Sequence, residues 1–502
     1  MKSPSIKVLI FSLILGVFLR LYRLNTEYIW FNDTFFRLTP ALEIIKDTPV
    51  TFDSSMIGAT GLGLLCFSLS NNLYSVILAV CLTGILCIPL SYYFCLKWTK
   101  DERIAALTSL FVSLNPTLIA LSKVMIWDIF IIFFFLISGI IFISLKENPS
   151  ILKGILLSLM LFLLFSFKLP NVLFAIVIYL FLIYCRGFSI KNSRDIIVSG
   201  IIYCLMLGSF FYSFPEALKP FLSGGGKDFF LKEDYLSILI ATLKLIISPV
   251  SSPATSMAFP FDMGLNIFFL IGLVSVIPLI YYFKNIKKFE ELFPLTILGV
   301  ISLFYLNYGG WSHRYLTVPL FFSLFFVACG TIKINNRFNI LAIVITGLCI
   351  LSSICPSLIM VEDWNSKQSL AENHVATPLS IFRNSVYMAE NEGIDIIASP
   401  YGRVFTFYYL SGNLNSKIVD FYEVDEYYVE QYIKNEIIKG KKIWYVEGWP
   451  DVFTFEGKDT ISYKKMMEKS FLMETIYVSD EKIFLYDQTY PSLIIHKILD
   501  FE

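Results

Sequence analysis

Long apolar runs joined by short polar loops dominate the first 360 residues. A helix needs about 20 mostly apolar residues to cross a bilayer. On that scale the pattern predicts about eleven spans, near 6–20, 72–96, 103–121, 127–145, 150–167, 170–185, 195–214, 265–283, 292–307, 314–331 and 338–360. The run 236–248, LSILIATLKLIIS, is apolar but carries Lys244, which predicts a re-entrant or interfacial helix.

After about residue 361 the pattern changes to short strands and helices. GIDIIAS, KIVDFY and KKIWYVEG are predicted strands, with PYGRVFTFYYLSG and DEYYVEQYIKNEIIKGK as helices between them. The second helix opens acidic and closes basic, as the helix dipole prefers. LMETIYV and KIFLYDQ flank Ser479-Asp480-Glu481 as a predicted hairpin. The expectation is a polytopic helical membrane domain over 1–360 and a small α/β domain with a partly parallel sheet over 361–502.

Loop charges give the orientation. The loops Lys97–Arg103, Lys146–Lys153, Arg186–Arg194, Lys284–Lys288 and Lys333–Arg337 are short and basic, and such loops mark the cytoplasmic side. The N-terminus carries Lys2 and Lys7 and joins that side. An odd number of spans then puts the C-terminal domain and the long loops 21–71 and 215–264 on the extracytoplasmic face of the cell membrane. The start lacks a small-x-small cleavage site, so it is read as an uncleaved first span.

Composition excludes competing classes. Apolar types make up 56% and charged residues 16%, too few charges to cover a soluble protein of 502 residues. Forty basic and forty acidic residues cancel, which argues against nucleic acid as a partner. The nine Cys fall at or before position 355, mostly in apolar runs and without a CxxC pair, so neither a zinc site nor a disulfide framework is expected.

Ionisable groups beside spans are costly and therefore candidates for function. Asp33, in YIWFNDTFF, suits a base or a metal ligand; the plainer reading is a cap on the helix that follows. Asp128, in SKVMIWDIFIIFFF, is a second such acid with the same alternative. Lys168, in FSFKLPN, suits a phosphate contact or a snorkelling lysine. His313 and Arg314, in YGGWSHRYLTVP, suit a phosphate, since Arg pairs with two of its oxygens, or simply an anchored span. Arg20 and Arg23 close the first span, where acidic partners or a bound anion would account for them. Gly224-Gly225-Gly226-Lys227 has only part of a phosphate-loop pattern and is read as a plain loop. Together these residues fit an anionic lipid-linked substrate. The acids would activate a hydroxyl or hold a divalent ion such as Mg or Mn, and the cations would hold a phosphate leaving group.

In this order the features resemble the GT-C glycosyltransferases, in particular the protein O-mannosyltransferase and aminoarabinose transferase group (glycosyltransferase family 39-like). Five segments carry the resemblance: FLRLYRLNTEYIWFNDTFF, SLNPTLIALSKVMIWDIFIIFFFL, LLSLMLFLLFSFKLPNVLF, SHRYLTVPLFF and SPYGRVFTFYYLSG. The resemblance implies transfer of a sugar from a polyprenyl (dolichyl or undecaprenyl) phosphate to a protein, glycan or lipid acceptor at the outer membrane face. It implies Asp33 as base, Asp128 as the second acid, and Lys168 and Arg314 facing the donor phosphate. The first-loop motif reads Asn32-Asp33-Thr34 where relatives often have Asp-Glu or Asp-Asp.

The alternative is a transporter or flippase for a lipid-linked or anionic substrate. It predicts inverted repeats and charges at mid-depth, whereas the chain has no internal repeat and its candidate charges cluster at one face. A receptor or scaffold with 361–502 as its binding domain has no need of eleven spans.

Overall fold

The computed structural model describes residues 4–24, 28–30, 33–48, 57–70, 72–125, 127–186, 193–215, 246–251, 267–284, 316–363, 376–421, 424–448, 458–480, 482–485, 488–491 and 493–501, with a few further positions between them. They form two compact units. One comprises Met1–Leu24, Ser54–Ala59 and Ile77–Asp363, and the other Asn25–Asp53, Thr60–Val76 and Trp364–Glu502.

The first unit is helical. Seven described helices are long and apolar enough to cross a membrane: Pro4–Leu21, Leu73–Thr99, Asp128–Glu147, Arg194–Ser213, Ile267–Lys284, Thr317–Asn335 and Asn339–Leu358. Shorter apolar helices run over Ile57–Leu69, Ile151–Phe167 and Val172–Arg186. The span expected over 103–121 is two helices, Glu102–Leu114 and Pro116–Leu121. Asn115 breaks it, because the residue before a proline is pushed out of helical conformation; its ψ is 122°. The Asn115 side chain accepts from the Leu118 amide at 3.0 Å and so caps the second helix. The expected span at 292–307 and the re-entrant segment at 236–248 lie largely outside the described residues.

Thr317–Asn335 is the buried centre of this unit. A Cβ on Gly330 would come within 1.9 Å of the Pro278 carbonyl oxygen, so the bare glycine lets two helices meet backbone to backbone. Phenylalanines fill the remainder: Phe94 lies edge-on to Phe321 with centroids 5.6 Å apart, and Phe135 edge-on to Phe322 at 5.5 Å.

The second unit is built on a five-stranded sheet in the order Lys417–Asp420, Ile396–Ser399, Ile443–Gly448, Leu493–Phe501, Phe471–Val478. The first three strands are parallel, and Leu493–Phe501 runs antiparallel to both of its neighbours. Helices Gly402–Leu410 and Glu426–Ile438 make the crossovers that parallel strands require. The three parallel strands and both crossover helices fall where the sequence predicts them. The hairpin does not. Phe471–Val478 pairs with the final strand Leu493–Phe501, and Lys482–Leu485 pairs instead with Gln488–Pro491. The polar SerAspGlu stretch has the look of a turn, but register is decided by which apolar face each strand must bury. That core joins Ile443 and Tyr445 from the sheet to Val429, Ile433 and Met467 from helices.

This unit also takes in part of the first loop. Tyr28–Trp30 pairs antiparallel with Ala376–Pro378, and the helix Asp33–Ile45 follows at once.

Candidate functional site

Asp128 and Lys168, forty residues apart, form a buried ion pair: Lys168 Nζ lies 3.4 Å from Asp128 Oδ1. Asp128 is the first residue of its helix, and the cap position belongs to Trp127, which makes no side-chain cap bond. The cap reading of Asp128 is therefore replaced by a charge on the first turn, where a carboxylate meets the positive end of the helix dipole. Lys168 sits in an extended link, with φ −165° and ψ 120°, between the helix Ile151–Phe167 and a single 3-10 turn, Leu169–Asn171. It is buried, not snorkelling. The next helix opens at Val172, with Pro170 inside the turn before it. Aromatic rings fix the surroundings. Phe167 stacks on Phe130 at 4.8 Å and on Phe134 at 5.5 Å. A Cβ on Gly58 would lie 2.6 Å from Ser166 Oγ, so the start of the Ile57–Leu69 helix presses against the residues just before Lys168.

Arg20 departs from expectation. It is fully buried, and its guanidinium donates to the carbonyls of Val112 at 3.2 Å, Ser113 at 3.0 Å and Gly16 at 3.2 Å, and to Ser122 Oγ at 3.2 Å. Two of those carbonyls lie in the last turn before the Asn115 break, where helical partners run out. Arg20 thus binds a helix end in place of a phosphate. Lys123 acts from the opposite side, donating to the carbonyls that finish the first helix, Arg20 at 3.5 Å and Tyr22 at 2.5 Å. In the sequence Lys123 is no more than one charge in a short loop; the Asn-Pro break eight residues before it is the signal that points further. Arg23 is exposed, with its guanidinium 5.3 Å from the Tyr22 ring centroid.

Asp33 is the first residue of the helix Asp33–Ile45. Its side chain lies outside the described residues, as do His313, Arg314 and the Gly224–Lys227 stretch. Deeper in that helix Glu43 is buried 3.4 Å from Arg403, at the start of the Gly402–Leu410 helix. Arg403 also faces Asp420, at 3.7 Å, on the end of a sheet strand. Neither Glu43 nor Arg403 stands out in the sequence, since Glu43 falls within the long loop 21–71 and Arg403 within a predicted helix.

Among the described residues no group of three His, Cys, Asp or Glu side chains could hold a metal ion. Asp128, one of the two expected ligands, faces a lysine. The ammonium of such a pair is a donor only, so it can meet an anion but cannot ligate a cation. Of the two expected ligands, only Asp128 has a described side chain.

Residues 67–215 match the sequence model of the family described as dolichyl-phosphate-mannose-protein mannosyltransferase. No curated protein sequence matches the chain. Several solved structures share its fold. The ArnT protein of Cupriavidus metallidurans in the apo state aligns with TM-score 0.58 at 10% identity, over 99% of this chain and 98% of that one. The same protein bound to undecaprenyl phosphate gives TM-score 0.56 at 11% identity, over 98% and 97%. The Archaeoglobus fulgidus oligosaccharyltransferase in complex with Zn and sulfate gives TM-score 0.54 at 12% identity, over 97% of this chain and 73% of that one.

Proposed function

We propose that this multi-pass membrane glycosyltransferase of GT-C fold takes its sugar from a polyprenyl phosphate, dolichyl or undecaprenyl, and gives it to a hydroxyl acceptor on the outer face of the membrane. The observation that carries the reading is Lys168. It is a buried cation held at a helix break by Asp128, in a chain whose fold is shared with a protein solved bound to undecaprenyl phosphate. The basic loops support an N-terminus in the cytoplasm and a C-terminal domain outside.

In this mechanism the Asp33 carboxylate takes the proton of the acceptor hydroxyl as its oxygen attacks the anomeric carbon. The bond from that carbon to the phosphate oxygen breaks, and the configuration inverts. Polyprenyl phosphate leaves with the electron pair, and its charge is met by Lys168, with Arg314 and His313 as further donors. Asp128 fixes the Lys168 ammonium in one place, so no reorganisation is needed when charge develops. No step is assigned to a metal.

The test is Asp33→Asn in membranes given labelled polyprenyl-phosphate sugar. Loss of transfer, with donor binding retained, is the expected result. Transfer at the wild-type rate would remove Asp33 from the chemistry.

A further inference from the structure

The segment that carries Asp33 is clasped on both sides by the C-terminal domain. Before it, Tyr28–Trp30 is hydrogen-bonded as a strand to Ala376–Pro378. After it, the helix Asp33–Ile45 lies on the Gly402–Leu410 helix. Phe35 is edge-on to Phe407 at 5.0 Å, Phe67 tilts against the same ring at 5.8 Å, and the Thr39 hydroxyl donates to the Arg403 carbonyl at 3.1 Å.

Residue chemistry says why the clasp is needed. The Asp33–Ile45 helix has only 13 residues and contains Pro40, which removes one of its hydrogen bonds. A helix so short is marginal without tertiary support. Phe35, Leu38, Ala41 and Leu42 are buried along one stripe, and Thr39 and Glu43 stand one turn apart beside it. Glu43 reaches Arg403, and Arg403 reaches Asp420 at the end of a strand of the main sheet. Gly402 lets this contact close. A Cβ there would lie 2.4 Å from the Asp420 side chain and 2.5 Å from its Cα.

We infer that Arg403 is a positioning residue for the transfer reaction, tying the helix that begins at Asp33 to the α/β sheet through Glu43 and Asp420. The inference rests on the reading of Asp33 as base, and gives the C-terminal domain a task within the reaction: to hold that base still. Arg suits the position because its fork serves two carboxylates at once, which a lysine ammonium on a flexible stem does less well.

The experiment uses the full-length protein in membranes or detergent. Glu43→Gln leaves the Arg403–Asp420 contact in place and removes only the carboxylate that ties the helix to Arg403. Its expected effect is a kcat lowered on the order of 10- to 100-fold, the scale of a misplaced catalytic group, with the KM for polyprenyl-phosphate sugar unchanged. Arg403→Lys is expected to fall between Glu43→Gln and wild type. Amide hydrogen exchange over residues 34–45 is expected to quicken in Glu43→Gln, while that of the strand Ile443–Gly448 stays as in wild type. The exchange pattern separates a released helix from a misfolded domain, which would quicken both. An unchanged kcat and unchanged exchange in Glu43→Gln would overturn the inference. Asp33→Asn is assayed alongside. If it retains transfer, the reading of Asp33 as base fails; if it loses transfer while Glu43→Gln keeps full kcat, only the positioning role fails.

Discussion

Lys168 Nζ and Asp128 Oδ1 lie 3.4 Å apart, across a helix break at one and a helix start at the other. A buried pair tolerates removal of both charges far better than removal of one, because one alone is left uncompensated. Asp128→Asn or Lys168→Met alone is expected to destabilise the protein by about 3–5 kcal/mol. Asp128→Leu combined with Lys168→Met is expected to recover most of that loss without recovering transfer. Thermal unfolding in detergent and a transfer assay on the same preparations give both readings.

Arg20 makes a second prediction. Arg20→Met orphans the Val112 and Ser113 carbonyls, at about 1–3 kcal/mol for each acceptor left without a donor. Arg20→Lys is expected to recover less than half, since one ammonium cannot reproduce the fork that meets Val112, Ser113 and Ser122 together. The folded fraction of either variant should keep its KM for the lipid-linked sugar, which a phosphate-binding role for Arg20 would not allow.

Two glycines of the C-terminal domain should respond differently to the same methyl group. Gly402→Ala drives a Cβ into Asp420, so the cost is that of overpacking, about 1–3 kcal/mol, together with disturbance of Arg403. Gly412 has open space around its Cβ position but a φ of +78°, so Gly412→Ala pays only the left-handed backbone term of about 1–2 kcal/mol. Transfer should drop in the first variant and hold in the second.

Acid should loosen this domain through Glu447. Burial pushes its carboxyl up, but hydrogen bonds from His496 and Lys464 outweigh burial, and the net direction is down. A carboxyl depressed on folding adds stability that is complete above its unfolded value of about 4.3 and is lost as pH falls through the folded value. Glu447→Gln should therefore flatten the decline in stability below about pH 4.3. Unfolding followed by Trp fluorescence across that range reports it.

Apolar run length made the membrane helices readable, and alternation made the parallel strands readable. Periodicity shows which face of an element is apolar but not which elements meet. Asp128 and Lys168 could each be picked out as a charge beside an apolar run, yet nothing in the sequence joins them across forty residues. Arg20 was misread for a related reason. Its partners are backbone carbonyls near the Asn115 break, and backbone acceptors leave no mark in a sequence. The Glu43–Arg403 contact spans 360 positions and depends on the crossover order of the sheet, which hydrophobic patterning does not encode. The hairpin failed at the same point, where two strands with good local turn chemistry each paired elsewhere.

The Arg20 contacts also bear on how the protein is made. Ser122 follows Arg20 by 102 residues. At about 5–20 residues per second a ribosome needs roughly 5–20 seconds to cover that distance. Through that interval the first helix carries a charged guanidinium whose Val112, Ser113 and Ser122 acceptors have not yet been synthesised. Insertion of the first helix and its final seating are therefore separate events in time.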